Sequence, residues 1–199
     1  MATFRIKRFN PEKQPEPYYE EFQLDIPSGA TLLDCMNQIK WTLDGSLSYR
    51  MSCRSAICGS CAVKANGHAL LACQRQAEHI IDNDETITLE PLGNMKPVKD
   101  LVVDFTPFWD KINKVKPYLE PKEAPPEKER HQSPQEFRLI DDSSPCIMCG
   151  ACYSDCNTLE VDDNFLGPAA LAKAQRFVGD SRDSQTLERV KELSEPGGI

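Results

Sequence analysis

Residues 52–73, SCRSAICGSCAVKANGHALLAC, carry four of the nine cysteines in this chain of 199 residues. Their spacing is C-x4-C-x2-C-x11-C, and the four residues are Cys53, Cys58, Cys61 and Cys73. The first three follow the plant-type ferredoxin spacing of 2Fe-2S ligands. Such closely spaced thiolates require a loop that curls around one small cluster, and a fourth thiolate from a neighbouring strand closes the cage. Gly59 lets backbone N–H groups approach the cluster sulfurs. The stretch therefore predicts a 2Fe-2S site.

Zinc and disulfides are the alternatives for this stretch. Structural zinc sites usually draw two C-x2-C pairs from separate hairpins, whereas only Cys58 and Cys61 form such a pair here. Disulfide frameworks are typical of exported chains with an even number of cysteines. The N-terminal residues, MATFRIKRF, contain neither a signal-peptide core nor an Arg-rich presequence. The cysteine spacing and the lack of an export signal favour metal ligation over disulfides. Zinc is the alternative to an iron-sulfur cluster.

A second run, CIMCGACYSDC at residues 146–156, holds four more cysteines, Cys146, Cys149, Cys152 and Cys156. This is the bacterial-ferredoxin spacing C-x2-C-x2-C-x3-C, although Asn157 stands where proline is usual. In two-cluster ferredoxins the first three cysteines ligate one 4Fe-4S cluster and the fourth ligates the other cluster. No cysteine follows Cys156 in the sequence, so we expect both sites to lack ligands here.

The remaining cysteine and the three histidines do not extend these sites. Cys35 lies on a predicted apolar helix stripe, so we expect it to be buried as a small apolar residue. His68, His79 and His131 are scattered, and we expect them at the surface or in packing positions. No G-x-G-x-x-G, P-loop or nucleophile-elbow motif occurs, so we assign no catalytic residue and predict no substrate-converting site on this chain.

Composition limits the partners. Asp and Glu number 31 against 23 Lys and Arg, which gives a net charge of -8 and argues against nucleic acid as a partner. No run approaches the 18 or more apolar residues of a membrane span, so we expect no direct membrane span. Two cluster-binding runs on one small chain predict an electron relay, whose donor and acceptor are partner subunits.

The residues around the first cysteine run predict a small α+β domain that ends near residue 100. Alternating apolar residues predict a hairpin across a Pro-rich turn at residues 11–17, and they are Phe4, Ile6, Phe22, Leu24 and Ile26. From Thr31 the spacing becomes helical at Leu32, Cys35, Met36, Ile39 and Leu43. Residues 68–73 and 86–89 predict two further strands, so a helix packs across a sheet.

A helical half follows. Thr106-Pro107 predicts a helix start, with Phe105, Phe108, Trp109 and Ile112 on one face. The prolines and charges of residues 116–136 predict an extended linker. Gly167-Pro168 predicts a helix through about residue 177, and Ser184 predicts the cap of another helix with Leu187, Val190 and Leu193 in register.

Together with the linker ending QSP and the run FLGPAALAKAQRFVGDSRD, these motifs resemble the iron-sulfur subunit of succinate dehydrogenase and fumarate reductase over nearly the whole chain. The resemblance implies a β-grasp 2Fe-2S ferredoxin domain at residues 1–104 and an all-α ferredoxin-like domain at residues 105–199. It implies a 2Fe-2S cluster held by Cys53, Cys58, Cys61 and Cys73. It further implies a 4Fe-4S cluster ligated by Cys146, Cys149 and Cys152, and a 3Fe-4S cluster ligated by Cys156.

The resemblance also implies partners and a location. Such subunits relay electrons from an FAD-containing flavoprotein that oxidises succinate to quinone at a membrane anchor. We expect a prokaryotic subunit at the cytoplasmic face of the cell membrane, held there peripherally by its partners. Family members continue with a further cysteine group, so we expect this chain to be truncated. Fumarate reduction in the reverse direction and a free-standing soluble ferredoxin are the alternatives.

Overall fold

A computed structural model describes residues 1–82 and 84–195. The chain forms two compact units. The first consists of Met1–Phe105 and Ile147–Asp155, and the second of Thr106–Cys146 and Cys156–Ile199. The segment Ile147–Asp155, which carries Cys149 and Cys152, thus belongs to the first unit although it follows the linker in sequence. Within the described residues, no helix has the length and apolar character needed to cross a membrane.

The first unit is built on a mixed five-stranded sheet in the order β2-β1-β5-β3-β4. The strands are β1 (Ala2–Asn10), β2 (Gln14–Leu24), β3 (Ala62–Ala65), β4 (His68–Leu71) and β5 (Thr86–Glu90). The pair β1 and β5 is parallel, whereas β1 with β2, β3 with β4 and β3 with β5 are antiparallel. Two short strands, β6 (Pro97–Lys99) and β7 (Val102–Val103), form a separate ribbon.

The predicted N-terminal hairpin is confirmed, with Phe4 opposite Phe22. The predicted Pro-rich turn is wrong in extent, because β2 already begins at Gln14 and contains Pro15 and Pro17. Both prolines are tolerated because β2 is an edge strand, where a missing N–H on the outer side interrupts no ladder. The turn itself therefore spans only residues 11–13.

Strand β3 was not predicted from the sequence, and the predicted strand at residues 68–73 ends at Leu71. Asn66 and Gly67 connect β3 to β4 with φ of 47° and 83°. Two successive left-handed residues are the requirement of a tight hairpin turn, and Asn-Gly meets it best. The Asn-Gly hairpin signal was present in the sequence, but β3, with four residues, is too short to show a clear alternation of apolar and polar residues.

Helix α1 (Leu32–Gln38) is capped by Thr31, whose side chain accepts a hydrogen bond from the N–H of Asp34 while the Asp34 carboxylate accepts from the N–H of Thr31. A π-helical turn, Ile39–Leu43, follows directly. The wider turn shifts the helical phase, and Leu43 is 53% exposed. The expectation that Leu43 belongs to the apolar stripe is therefore wrong.

The core of the first unit lies between α1 and the sheet. Many of its fully buried side chains come from β1, α1 and β5, and they include Phe4, Ile6, Leu32, Leu33, Ile87 and Leu89. Cys35 is completely buried in the same cluster, as expected for a packing residue. Burial also raises the pKa of its thiol to about 11, so it stays protonated at neutral pH.

The described elements of the second unit are helices: α2 (Thr106–Lys114), α3 (Pro134–Phe137), α5 (Asn157–Val161), α6 (Pro168–Val178) and α7 (Thr186–Leu193). Helix α4 (Ala151–Ser154) lies in the first unit. The predicted helices at Thr106 and after Gly167 are confirmed. Ser184 is not the cap of α7, whose N-cap is Gln185.

Two predicted apolar faces differ from the structure. Phe108 and Ile112 are buried on α2, but Trp109 is 41% exposed. On α7, Leu187 is 79% exposed and Val190 is 44% exposed, because the inward side chain of this helix is Arg189. A buried arginine at that position is invisible to a search for apolar periodicity.

Arg189 joins three parts of the second unit. Its guanidinium donates to the Asp183 carboxylate at 3.0 and 3.2 Å and to the backbone carbonyls of Lys116 at 2.7 Å and Tyr118 at 2.8 Å. Arg189 is 3% exposed and Asp183 is fully buried. Because both charges are paired and hydrogen-bonded, their burial is tolerated.

Candidate iron-sulfur centres

The first cysteine run forms a loop whose end is fixed by the β3–β4 hairpin. Cys61 directly precedes β3 and Cys73 follows β4, and the Ala72 N–H donates to the Cys61 carbonyl at 3.1 Å. The ladder therefore places Cys61 and Cys73 side by side at one end of the hairpin. Cys61 is buried and Cys73 half-buried, whereas Cys53 and Cys58 are exposed in the preceding loop.

Backbone N–H groups point at all four sulfurs of this loop. Cys53 and Cys58 each donate to the other's Sγ, at 3.5 and 3.3 Å. The Cys73 N–H donates to Cys61 Sγ at 3.4 Å, and the Ala56 N–H donates to Cys73 Sγ at 3.3 Å. N–H donors of this kind stabilise thiolate sulfur and tune the reduction potential of a cluster bound to it. The hydrogen bonds also divide the cysteines into two pairs.

The loop can curl because three of its residues adopt left-handed backbone conformations. Arg54 and Ala56 have φ of 58° and 56°, and Gly59 has φ of 73°. For a residue with a side chain this conformation costs about 1 kcal/mol. Two such residues within one short loop indicate strain held at a functional site. The left-handed turns direct successive N–H groups toward the sulfurs.

The electrostatics of the loop favour thiolate at its exposed end. Hydrogen bonds from the Ser60 side chain and from the Cys53 N–H lower the pKa of Cys58 to about 6. At the buried end, burial raises the pKa of Cys61 to about 11, and the adjacent Cys73 sulfur adds to this. Metal ligands must lose their protons on binding. A bound metal cation would compensate the negative charge of the Cys61 thiolate, which burial otherwise disfavours.

No group of three or more His, Cys, Asp or Glu side chains is arranged around a single metal-ion position in residues 1–82 and 84–195. The fit of the first loop to a 2Fe-2S cluster is tested instead by its donor set. Four cysteines, in two adjacent pairs with N–H donors to every sulfur, provide the four thiolates and the hydrogen bonds that a two-iron cluster takes.

The second run is divided between the units. Cys149 and Cys152 belong to the first unit, and Cys146 and Cys156 belong to the second. The chain around Cys149 turns sharply, because Met148 and Gly150 have φ of 54° and 80°. In the second unit, the Lys173 ammonium donates to the Cys146 carbonyl at 3.0 Å.

Cys149 packs directly on the first cysteine loop. A Cβ atom placed on Gly59 would lie 2.8 Å from Cys149 Cα and 2.9 Å from its Cβ. Carbon atoms that are not bonded do not approach so closely, so only glycine fits at position 59. Within the first unit, backbone of one cysteine run thus touches backbone of the other.

Residues outside the motifs hold this segment in place. The Gly93 N–H donates to Ser154 Oγ at 2.8 Å, and the Asn94 side chain donates to the Tyr153 carbonyl at 2.9 Å. The Asp155 carboxylate accepts from the N–H of Ala69 on the edge strand β4 at 2.8 Å. Sequence reasoning missed these contacts. The only local signal was the turn dipeptide Gly93-Asn94.

His68, His79 and His131 are exposed, as expected for surface residues.

The fold and the cysteine loop define a ferredoxin-type iron-sulfur protein, and residues 3–110 match the family described as "2Fe-2S iron-sulfur cluster binding domain". The succinate dehydrogenase iron-sulfur subunit of Coxiella burnetii is 37% identical over 200 residues, covering 99% of this chain and 83% of the relative. The fumarate reductase iron-sulfur subunit of Haemophilus influenzae is 36% identical over 211 residues, covering 100% and 81%. The chain belongs to the family of succinate dehydrogenase and fumarate reductase iron-sulfur subunits.

A solved structure supports the fold. A chain of the Mycobacterium smegmatis Sdh1 complex in the apo form superposes with a TM-score of 0.80 and 22% identity, covering 100% of this chain and 89% of that chain. The resemblance seen in the motifs is therefore confirmed. The chain is an electron-transfer iron-sulfur subunit of an oxidoreductase, and its N-terminal half is a 2Fe-2S ferredoxin-like domain.

Proposed function

We propose that this chain relays single electrons from an FAD-containing flavoprotein subunit, which oxidises succinate, to quinone at a membrane anchor. The observation that carries the proposal is the set of backbone N–H groups directed at all four sulfurs of the first cysteine loop. The membership of the family supports the partners and the reaction. We place the subunit peripherally at the cytoplasmic face of the membrane.

The proposed ligands of the 2Fe-2S cluster are Cys53, Cys58, Cys61 and Cys73. When bound, an iron-sulfur cluster accepts and releases one electron at a time. The chain holds the thiolates in two pairs, donates N–H hydrogen bonds to the sulfurs and keeps one pair half-buried or buried at the hairpin end. These features tune the potential through hydrogen bonding and solvent exposure.

The exposed end of this loop is suited to contact a redox partner. Ile57, next to Cys58, is 69% exposed, and Met51 is 39% exposed. Apolar side chains at the surface beside a redox site are typical of protein–protein contacts. We therefore propose that the flavoprotein docks at this loop.

For the second run we propose that Cys146, Cys149 and Cys152 ligate a 4Fe-4S cluster and that Cys156 ligates a 3Fe-4S cluster. The spacing supports this proposal. The left-handed residues Met148 and Gly150 support it too, because they curl the chain between ligands. The other five cysteines belong to the first loop or, at Cys35, to the core, so the nine cysteines do not supply a complete set of thiolates to either of these two clusters.

The test is to express the chain with a flavoprotein subunit of this family, purify the complex and add succinate. We expect co-purification and a one-electron reduced 2Fe-2S signal in electron paramagnetic resonance spectra. A chain that carries iron but neither binds the flavoprotein nor accepts electrons from succinate would contradict the proposal. A colourless chain that contains zinc would contradict the cluster assignment.

Fumarate reduction is the second candidate, because one of the relatives is the fumarate reductase iron-sulfur subunit of Haemophilus influenzae. The same complex distinguishes the two directions. Faster oxidation of the reduced clusters by fumarate than reduction of the oxidised clusters by succinate would favour fumarate reduction.

A further inference from the structure

Residues 45–77, which contain the first cysteine run and the β3–β4 hairpin, differ in charge from the rest of the chain. The whole chain has 31 acidic residues and a net charge of -8, yet none of the acidic residues lies in this stretch. Its basic residues are Arg50, Arg54, Lys64 and Arg75. A local cluster of one charge sign produces a potential of that sign over the adjoining surface. The part of the chain that presents the first four cysteines is therefore basic, although the protein is acidic.

Two of these arginines belong to the exposed part of the cysteine loop, residues 50–58, which we call the basic loop. Arg50 and Arg54 are both exposed, and neither forms an ion pair within residues 1–82 and 84–195. The Arg50 guanidinium lies 5.5 Å from the centre of the Phe105 ring, a contact that leaves its positive charge uncompensated. Lys64 differs, because it faces the Asp155 carboxylate at 3.8 Å.

Elsewhere the chain pairs its arginines with carboxylates. The paired arginines are Arg8, Arg176, Arg182 and Arg189. These pairs are intramolecular and stabilise the fold. The arginines of the basic loop have no such partner among the described residues, so their charge is available to a second molecule.

Apolar side chains accompany the two arginines on the basic loop. Met51 follows Arg50 and is 39% exposed, and Ile57 precedes Cys58 and is 69% exposed. Interfaces between proteins are enriched in Arg and Met and depleted in Asp and Glu relative to the rest of the surface. The basic loop has this composition. It fits a protein partner whose facing surface has acidic groups around an apolar centre.

We propose that Arg50 and Arg54 steer an acidic patch of the flavoprotein subunit onto the basic loop. The inference rests on the proposed docking of the flavoprotein at this loop and adds the charge that the partner's surface carries there. Complementary charges accelerate the encounter of two proteins and fix their orientation. Replacement of such charges changes the association rate and its salt dependence. The arginines thus act on recognition, while the cysteine sulfurs serve the cluster.

A compact acidic patch fits the basic loop better than an extended polyanion does. The 31 acidic residues outside residues 45–77 repel a long polyanion such as nucleic acid. At an ionic strength of about 0.1 M, interactions between exposed charges extend only about 10 Å. An acidic patch that faces the loop alone is therefore attracted by Arg50 and Arg54 without meeting the acidic remainder of the chain.

The test measures how fast the full iron-loaded chain associates with a flavoprotein subunit of this family over a series of salt concentrations. Arg50→Gln and Arg54→Gln, singly and together, remove the positive charges, and Arg54→Lys keeps the charge. Position 54 has φ of 58°, and Arg, Gln and Lys bear the same left-handed cost there. Arg5→Gln is the matched control, because it changes the net charge equally at an exposed position of β1 outside the basic loop.

At low salt we expect the double variant to associate about tenfold more slowly than the parent chain, because steering is lost. The difference should nearly vanish at about 1 M salt, where screening removes steering in the parent as well. Arg54→Lys and Arg5→Gln should associate like the parent chain. The 2Fe-2S spectrum should persist in every variant, since the N–H donors to the sulfurs are backbone groups. If the double variant loses the spectrum, Arg50→Gln, which lies outside the cysteine spacing, provides the comparison with Arg5→Gln.

Equal association rates for Arg5→Gln and the variants of the basic loop at every salt concentration would overturn the inference and leave the flavoprotein as the partner. A shifted reduction potential of the cluster with unchanged association would also overturn it, since the arginines would then act on the cluster alone. A parent chain that does not bind the flavoprotein at any salt concentration would overturn the proposed function, and the inference with it.

Discussion

The backbone N–H groups of Cys53 and Cys58 each donate to the other residue's sulfur, at 3.5 and 3.3 Å. This reciprocal arrangement brings two exposed thiols together. It groups two of the proposed ligands, Cys53 and Cys58, as one pair, and the 3.4 Å contact of the Cys73 N–H with Cys61 Sγ groups the other two, Cys61 and Cys73. Loss of one of these proposed ligands would leave the cluster one thiolate short.

Cys58→Ser is expected to abolish the 2Fe-2S cluster, because an alcohol at this position is a much weaker ligand than a thiolate. Iron and sulfide analysis and visible spectra of the purified complex measure the loss. Cys35→Ala is the matched control: this cysteine is buried in the core and should change the iron content little. An intact 2Fe-2S spectrum in Cys58→Ser would show that the cluster has other ligands.

Arg8→Met is expected to destabilise the first unit by about 3–5 kcal/mol, because removal of one member of a buried ion pair leaves the other charge uncompensated. Arg8 Nε donates to Asp100 at 3.1 Å and Nη1 donates to Asp44 at 2.5 Å. Arg8 is 5% exposed and Asp100 is 2% exposed. Urea denaturation followed by the circular dichroism of the iron-loaded chain measures the change.

The control for Arg8→Met is Arg5→Met, on the same strand. Arg5 is exposed and lies 4.3 Å from the centre of the Tyr19 ring. Its replacement should cost about 1 kcal/mol or less. Equal losses in the two variants would show that the buried network around Arg8 does not stabilise the fold.

Tyr49→Phe is expected to reduce the loss of stability in alkaline solution. Burial raises the pKa of Tyr49 to about 12, and its hydroxyl donates to Asn37 Oδ1 at 2.7 Å. A raised pKa means that the folded chain holds the proton more tightly than the unfolded chain. The contribution to stability is therefore complete below about pH 10 and is lost as the pH rises toward the folded value.

Urea denaturation at a series of pH values checks this. The variant should be less stable at pH 7, since the buried Asn37 oxygen loses its donor, and its stability should fall less between about pH 10 and pH 12. Tyr18→Phe, which removes an exposed tyrosine hydroxyl of β2, is the control for the loss of stability at pH 7. Parallel pH profiles for Tyr49→Phe and the parent chain would contradict the assignment.

Arg189→Met is expected to unfold the second unit selectively, with a loss of about 3–5 kcal/mol, because Asp183 becomes a buried charge without its arginine and three backbone carbonyls lose their donor. Limited proteolysis should cut between α2 and α7 first, while the 2Fe-2S spectrum persists. Lys191→Met, which removes an exposed ion pair with Glu188, is the control and should change stability little. Simultaneous loss of the 2Fe-2S spectrum would show that the units do not fold separately.

Much of the site was predictable because metal ligation by a short loop is a local property. The spacing of Cys53, Cys58 and Cys61 already requires a curled loop, and the family match confirms 2Fe-2S chemistry. The buried role of Cys35 also followed from helical periodicity alone. What spacing did not indicate is the strained backbone of Arg54 and Ala56, since neither residue type prefers left-handed conformations.

The fold was predictable where one face of an element is clearly apolar, as in the hairpin of β1 and β2 and in α6. It was not predictable where a single turn changes the phase, as at Leu43, or where the inward residue is charged, as at Arg189. At Leu43 the cause is a local π-helical turn, whereas at Arg189 an ion pair with the distant Asp183 replaces the apolar pattern. Patterns of hydrophobicity contain no information about such partners.

The sequence by itself determined the chemistry of the site. Thiols at ferredoxin spacing bind iron and sulfide because residues close together on a short loop are also close together in space. Only the tertiary structure decided that Ile147–Asp155 packs with the first unit and that Cys149 touches Gly59. These residues are far apart in sequence, so no local preference brings them together. Their contact depends on steric room and on hydrogen bonds between distant backbone groups, which exist only once the chain has folded.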